Sequence, residues 1–580
     1  MSKFTKITFI SLAFLLMFNA SDDNNDEKEY WGRTDAGQWV VKTLSDDTEG
    51  FTFGWELPEA KATKEAFEKD SFNPIALKST SLPKNSFVHR IGTHSEDDYK
   101  LHIMSDDSIV YYGSTNGTVV FEDLIIPNKT KKDLIIIKTD PNNKILWHKQ
   151  FGSNYESNIN IFNLTSDLKG NLYVAGYYTR DNTFGNFELP NGAFYTGFVS
   201  KINPDGVVQW VRDFNSEDYS SVVSIVVDSK GDPIIQLLFN RSIEIDGKLY
   251  RSPIFGRGGT IERILKLDTK DGSTKWVSNI TSSSTNFVWD IQVDQKDNIF
   301  ITGRLTKKLT IGNRTIHSSG NQYNGDGYLL KIDSSGNYLS HISFPGPKDS
   351  YIVQVGFLSD NSPIIRAAFI QGLKYKNLDL SYNSTSNYSN GRCCFTYSGA
   401  YFIAKLDKDL NILWHKQISP QGGGIYDLNS GQDEDNMVID ADDNLYFNYR
   451  AQSSAYVGLF KHNIGNYALE GNYYPETENG NTIYYSKADI GVLKIDKFGN
   501  EIWLSNFEYD ASYSICRAYS GDTCIYKDYR YGYISDMDIN SKGELYIASI
   551  VRKPLTFEGL EYPVYGNRDT FIHKIVEVKD

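Results

Sequence analysis

The sequence predicts an all-β fold assembled from copies of one four-stranded antiparallel unit. Three observations predict it. A lysine ending an apolar run recurs seven times, at Lys138, Lys201, Lys266, Lys331, Lys405, Lys494 and Lys574, at intervals of 63 to 89 residues. A Gly/Asn/Asp turn and then a tryptophan follow most of these lysines, as in GFVSKINPDGVVQW (197–210) and IGVLKIDKFGNEIW (490–503). Aromatic residues make up 14% of the chain, with 39 Tyr and 32 Phe against 16 Pro, a composition that suits pleated, half-buried surfaces and argues against disorder.

Strand A of each unit is apolar, as in IFNLTSD (161–167). A tight turn then leads into strand B, as in DLKGNLYVAGYY (167–178), DSKGDPIIQLLF (228–239), DQKDNIFITGRL (294–305), DADDNLYFNYRA (440–451) and NSKGELYIASIV (540–551). A longer connection reaches strand C with its lysine. The next turn, rich in residues that reverse a chain, leads to strand D. Strand D carries Trp147, Trp210, Trp414 and Trp503 nine residues after the lysine and Trp276 ten after; His341 is read as the replacement in the fourth copy. Four antiparallel strands repeated radially make a β-propeller, and the rungs of a parallel β-helix are far shorter than these units. A repeat architecture also reconciles 580 residues with domains of ~50–250.

The seventh copy stops at FIHKIVEVKD, without a strand D, whereas TDAGQWVVKTL (34–44) matches PDGVVQWVRDF (204–214). The expectation is a seven-bladed β-propeller of four-stranded antiparallel blades. An N-terminal strand would complete the last blade and close the ring, with Trp39 beside Lys574. The succession Asp-x-x-Gly-Asn-x-Tyr-Val-x-Gly, Asp-x-Phe-x-x-Lys and Gly-Asn-x-x-Trp resembles the bacterial seven-bladed β-propeller repeat family over residues 34–577. The resemblance implies the fold and no particular activity, because propellers host many.

At the N-terminus, Lys3 and Lys6 precede ITFISLAFLLMF (7–18), an apolar run of 12 residues. A bilayer span needs ~20, so residues 1–20 read as a signal peptide and 21–33 as an acidic linker before the propeller. The run NASDDNNDEKE resembles the start of Bacteroidetes-type surface lipoproteins. Ala20 meets Ser21 where the lipid-bearing cysteine would stand, so ordinary secretion with cleavage near Ala20 is the alternative to anchoring. The chain is expected to be exported, to the cell surface or the extracellular space, with the periplasm as the alternative. No transmembrane span is expected later in the chain. A net charge of −14 argues against a nucleic-acid partner.

Tryptophans present in nearly every copy read as packing between blades, not as stacking platforms for a cofactor or sugar. The lysines read as paired with a carboxylate or laid over aromatics, not as an anion-binding ring. Their nearest candidates are the aspartates five residues earlier, Asp133, Asp326, Asp489 and Asp569. Asp433, Asp435, Asp440 and Asp442 could gather oxygens for calcium, against bonding within their own turn. No other cofactor is expected.

The insertions 46–87, 372–396, 452–487 and 508–530 all belong to B–C or D–A connections, hence to one face. Loops on a rigid scaffold are where binding concentrates. Tyr375, Tyr382, Tyr388, Tyr473, Tyr474 and Tyr484 are the ligand-binding candidates, each an apolar plate with a hydroxyl suited to an extracellular glycan or protein; packing within the loops is the alternative. Cys516 and Cys524 are placed to pair across a short loop. The adjacent Cys393 and Cys394 could bond to each other, stay reduced or pair with the other two. The functional expectation is a binding or scaffold module, with a monomer as the default. The alternative is a propeller enzyme with a site at the axial cavity, quinone-cofactor dehydrogenase-like or glycan-cleaving. No G-x-S-x-G or H-E-x-x-H motif is present.

Overall fold

The Asp- and Asn-led turns that punctuate the sequence are chain reversals in the structure, a computed structural model. It describes residues 27–33, 39–45, 52–53, 84–92 and 98–576, apart from loop segments of which 382–398, 419–436 and 517–525 are the longest. In each turn the leading side chain substitutes for a strand partner. Asp167 Oδ1 accepts from the N–H groups of Lys169 and Asn171, both at 2.9 Å, and Oδ2 accepts from the Asn171 amide at 2.8 Å. Asp294, Asp333, Asp407, Asp440 and Asp496 repeat the arrangement. Such bonding sets a tight reversal and leaves the flanking residues extended.

All described elements are β. The chain divides into two units, Met1–Ser81 and Leu82–Asp580. The first holds a three-stranded sheet, Glu27–Arg33, Trp39–Ser45 and Thr52–Phe53 in that order. The second repeats one topology, in which strands A to D pair antiparallel in chain order. Sheet 1 is Asp98–Ile103, Ile109–Thr115, Asp133–Thr139 and Ile145–Phe151. Sheet 2 is Ile159–Ser166, Leu172–Tyr178, Thr196–Ile202 and Val208–Phe214. Sheet 3 is Ser220–Val227, Pro233–Asn240, Thr260–Leu267 and Thr274–Val277. Sheet 4 is Phe287–Val293, Ile299–Leu305, Asp326–Ile332 and Tyr338–Phe344. Sheet 5 is Ser350–Phe357, Pro363–Ile370, Gly399–Leu406 and Ile412–Ile418. Sheet 6 is Met437–Ile439, Leu445–Gln452, Ala488–Ile495 and Glu501–Phe507. Strands B and C carry the core; Leu134, Ile135, Ile136 and Ile137 are all fully buried, as befits strands covered on both faces.

Sheet 7 corrects one expectation. Gly532–Ile539, Leu545–Val551 and Asp569–Val576 supply its strands A to C, and its fourth strand is Lys84–Gly92. Ser86 stands opposite Lys574, in the position assigned above to Trp39, and Trp39 instead pairs with Arg33 in the first unit. A strand from the N-terminal side does complete the sheet, but it is a later one. Residues 84–87, counted above within an insertion, are part of it. A second correction concerns sheet 4. The residue opposite Lys331 is Ser340, whereas His341 lies opposite Leu330 and takes a hydrogen bond with the Tyr338 hydroxyl at 2.8 Å.

Successive sheets are joined by recurring fixtures. The strand D tryptophan donates its indole N–H to a carbonyl in the C–D turn of the next sheet: Trp147 to Pro204 at 2.9 Å, Trp210 to Thr269 at 3.1 Å, Trp276 to Ser334 at 3.0 Å and Trp414 to Lys497 at 3.1 Å. The ring lies against that turn's left-handed glycine. A Cβ on Gly272, at φ 75°, would stand 2.9 Å from Trp210. Where serine replaces tryptophan, the next turn has no glycine. Leu410 (φ 62°) follows sheet 4 and Asn143 (φ 65°) lies in sheet 1, next to sheet 7. Leu410 is fully buried. The tryptophans are therefore packing groups.

A small hairpin occupies the B–C connection of sheets 1 to 5. Its two-residue turn begins with a residue in the left-handed region, at Glu122, Gly185, Asp246, Gly312 and Lys376. Each hairpin covers the outer strand, or its continuation, of the preceding sheet. Phe184 stacks on Phe151 with centroids 4.0 Å apart, Lys308–Ile311 pairs with Ile280–Ser282, and Tyr375 meets Phe344 edge-on at 5.1 Å. Val119–Phe121 of sheet 1 pairs with Lys84–Gly92 of sheet 7 in the same way. An outer strand would otherwise present a row of unpaired backbone groups.

Candidate functional site

Strand A leaves the other edge of every sheet unpaired, and its backbone groups need partners. The next sheet's residues meet side chains of the preceding one. Glu262 accepts from Val288 N–H at 3.1 Å through both oxygens, while Gln236 donates to Val288 O at 3.1 Å. Asp290 accepts from Val355 N–H at 3.1 Å. Between sheets 7 and 1, three alternate N–H groups are taken. Tyr99 donates to Thr570 Oγ1 at 3.2 Å, Leu101 to Asp536 at 3.2 Å and Ile103 to Asp538 at 2.7 Å. Burial pushes the carboxyls of Glu262 up to about 8, Asp536 to about 7 and Asp290 to about 6, and the nearby Asp538 charge adds to the rise at Asp536.

Where a repeated lysine pairs with an acid, the partner is a different acid from the one five residues earlier. Four of them meet the acidic residue of the A–B turn in their own sheet: Lys266 with Asp228 at 2.6 Å, Lys405 with Asp360 at 3.0 Å, Lys494 with Asp440 at 3.8 Å and Lys574 with Glu544 at 2.7 Å. Lys201 donates to Thr269 O and Oγ1, both at 2.9 Å. Across the strand pair the ammonium lies over an aromatic ring, Tyr446 at 4.9 Å from Lys494 and Phe300 at 5.0 Å from Lys331. Asp133 and Asp326 accept elsewhere, from Lys129 N–H at 2.7 Å and Ser319 N–H at 2.6 Å.

Of the calcium candidates, Asp440 spends its oxygens inside the turn and on the Tyr446 hydroxyl at 3.0 Å, and Asp442 donates its N–H to Asp440 at 3.0 Å. Asp433 and Asp435 lie outside the described residues. Among the described residues no group of three or more metal-binding side chains gathers. Tyr375 is half-buried in the hairpin that covers Phe344. Tyr473, Tyr474 and Tyr484 lie on one hairpin, Tyr473–Glu478 with Asn481–Ser486, where Pro475 pairs with Tyr484 and Tyr474 with Tyr485. Cys516 pairs in register with Tyr526 on Ser512–Cys516 and Tyr526–Arg530. Tyr382, Tyr388, Cys393, Cys394 and Cys524 lie outside the described residues, as do residues 1–20.

A different aromatic group stands where strands A begin and strands B end, on the side of the B–C and D–A connections. Phe162 meets Tyr177 at 5.4 Å, Tyr177 meets Tyr195 edge-on at 4.8 Å, and Tyr195 meets both Phe194 at 4.8 Å and Tyr219 at 5.7 Å. The backbone fixes the arrangement. Phe194 N–H donates to Asp218 O at 3.2 Å, and Ser220 N–H donates to Tyr195 O at 2.9 Å. The run climbs from half-buried Phe162 to Phe194, whose ring is 75% exposed. Polar atoms edge it, with the Tyr219 hydroxyl bonded to Ser221 Oγ at 2.7 Å. At the same end of sheets 4 and 5, Trp289 stacks on Tyr351 at 4.7 Å, beside the Arg304–Asp349 pair. These residues come from several strands at no common spacing, so only the register brings them together.

Comparison with known proteins bears on the fold. A family model described as a β-propeller repeat matches residues 146–177, from strand D of sheet 1 through strand B of sheet 2. No curated protein matches the sequence. Among solved structures, the WD40 domain of SCAP from fission yeast is 10% identical, covering 85% of this chain and 98% of its own, with a TM-score of 0.33. A protein of unknown function from Dyadobacter fermentans is 9% identical over 67% of this chain and 98% of its own, with a TM-score of 0.31. A puromycin-hydrolyzing peptidase from Mycobacterium tuberculosis is 7% identical over 83% of this chain and 62% of its own, with a TM-score of 0.33. The chain is an all-β protein that carries a β-propeller repeat.

Proposed function

We propose that residues 82–580 close into a seven-bladed ring and that the protein is an exported binding module for an extracellular glycan. The ring reading is supported by the seam between the first and last sheets, which uses the same fixtures as the others. Asp107 accepts from the Ser541 N–H at 2.8 Å and hydroxyl at 2.6 Å, as Asp297 does from Ser229 at 2.9 and 2.8 Å. Export is supported by the charged and apolar pattern of the first twenty residues.

The observation that carries the binding reading is the aromatic run from Phe162 to Phe194. Ring faces and edges with hydroxyls at their margin suit sugar rings, which present apolar C–H faces and polar rims. The short turns of the opposite face are tied into their own Asx networks. The test is a glycan-array screen of the full chain, repeated with Phe194→Ala, Tyr195→Ala and a chain whose residues 382–398 are replaced by a short Gly-Ser link. A central aromatic contributes ~2 kcal/mol to an interface, so each aromatic variant should weaken the selected glycan about 30-fold. Loss only on loop replacement would move the site to the Tyr382 and Tyr388 segment. Recognition of secreted proteins and no glycans would change the ligand class.

A further inference from the structure

On the inner strands of three consecutive sheets stand a serine, a histidine and an aspartate that neither the sequence motifs nor the proposed binding role uses. His102, on strand A of sheet 1, lies between Ser166 at the end of strand A of sheet 2 and Asp538 near the end of strand A of sheet 7. Its Nε2 is 2.8 Å from Ser166 Oγ and its Nδ1 is 3.5 Å from Asp538 Oδ2. Asp538 is itself held, accepting from Ile103 N–H at 2.7 Å and Ile539 N–H at 2.8 Å. The His102 and Asp538 side chains are 21% and 26% exposed, so the group is sheltered and still open to a small molecule. Lys100 and Asp536 lie two positions back along the same strands, where the Lys100 charge partly offsets the rise that burial imposes on Asp536.

We infer that Ser166, His102 and Asp538 form a nucleophilic hydrolytic centre for small carboxylic esters, at the end of the inner strands opposite the aromatic run. With the proton on Nδ1 facing Asp538, Nε2 accepts the Ser166 hydroxyl proton. Ser166 Oγ then bonds to the acyl carbon. The ester C–O bond breaks, and the alcohol departs with the proton from Nε2. Water repeats the sequence on the acyl-serine, releasing the acid and restoring the hydroxyl. Asp538 acts as a positioning residue through His102. The 3.5 Å separation is longer than a bound hydrogen bond, and such contacts tighten when substrate arrives. Ser166 is the reacting group in a place that no G-x-S-x-G search would find, because it stands in NLTSD, with His102 64 residues before it and Asp538 372 residues after.

The test is labelling of the full chain with a fluorophosphonate, in which Oγ displaces fluoride from phosphorus, with the labelled peptide located by mass spectrometry. The expected result is stoichiometric label on Ser166, none with Ser166→Ala, and labelling slowed about 100-fold or more in His102→Ala. Asp538→Asn keeps an acceptor for Ile103 N–H. It gives up only the acceptor for Ile539 N–H, so with a small loss of melting temperature it should slow labelling and change the pH profile of p-nitrophenyl acetate cleavage. Should His102→Ala fail to fold, Ser166→Ala alone decides. Wild-type label no greater than that of Ser166→Ala, or a melting-temperature loss in these variants with no labelling of the wild type, would overturn the inference and leave the three residues as a tie between sheets. Glycan binding by Ser166→Ala should be unchanged, which separates this outcome from the proposed binding role.

Discussion

Replacing Gly272 by alanine measures how firmly adjacent sheets are locked. Two costs add. A Cβ at φ 75° is strained by ~1–2 kcal/mol wherever it stands. That Cβ would also stand 2.9 Å from Cε3 and Cζ3 of Trp210, a ring only 6% exposed whose N–H is tied to Thr269 O at 3.1 Å. Pushing the ring aside costs ~1–3 kcal/mol, by analogy with overpacked cores. Gly543 separates the two terms, because it has nearly the same φ of 76° with nothing within 4 Å of its Cβ position. Gly543→Ala should therefore show the backbone term alone. In equilibrium urea denaturation, Gly272→Ala should exceed Gly543→Ala by ~1–3 kcal/mol at an unchanged slope. In a Trp210→Ala background, already weakened by ~3–5 kcal/mol, the extra cost of Gly272→Ala should shrink to the Gly543→Ala value. Equal losses for the two alanines in the wild-type background would refute the reasoning, because the ring would then not be pressed against the turn.

Asp107→Gly keeps a left-handed backbone at no steric cost and deletes the two bonds to Ser541, a loss of ~1–3 kcal/mol before the relief of strain. Its interior counterpart Asp297→Gly should lose the same amount within about 0.5 kcal/mol in urea melts, and a loss confined to Asp297→Gly would show that the first and last sheets are apart in solution. Stability should fall as the solution goes from acidic to mildly alkaline. Glu262 and Asp536, raised by burial to about 8 and about 7, hold protons in the folded chain that the unfolded chain has released, so they withdraw stability as pH rises from ~4 through 8. His573, lowered by burial to about 4, stays neutral when folded and acts in the opposite sense between ~4 and 6.5, one group against two, so the fall is shallower there than above 6.5. Melting temperature against pH checks both slopes, and Glu262→Gln, which keeps an acceptor for Val288 N–H, should flatten the fall.

Much of the fold was legible because its signals are local. Asp167, Asp294 and Asp440 each organise a turn within four residues, and the alternation after them marks strand B. The lysine–tryptophan pairs were legible as architecture for the same reason, although the lysines' acidic partners were not. A turn acid such as Asp228 lies 38 residues before Lys266, farther than spacing rules reach. The last strand of sheet 7 was misplaced because KNSFVHRIG lacks the tryptophan that made the segment around Trp39 attractive; its pairing with Asp569–Val576 is decided by geometry across the whole unit. His341 was misplaced by one residue, since position along a strand alternates faces and a single step changes the side. The hairpins over the outer strands had a readable signal, two-residue turns such as Gly185-Asn186 and Asp246-Gly247 between alternating apolar residues, which passed as unspecified connection. The aromatic run and the Ser166–His102–Asp538 group had none, because their members share no spacing and meet only through register.

The pairing of Lys84–Gly92 with Asp569–Val576 has a consequence for how the molecule is made. Translation delivers the first of these segments 485 residues ahead of the second, so the early one must wait while all the intervening sheets are made. Contacts so distant along the chain are slow to form and invite aggregation meanwhile. A protease that cuts anywhere between the two would strand the early segment without its mate. The fate of the beginning of the unit is thus decided by a stretch made hundreds of residues later.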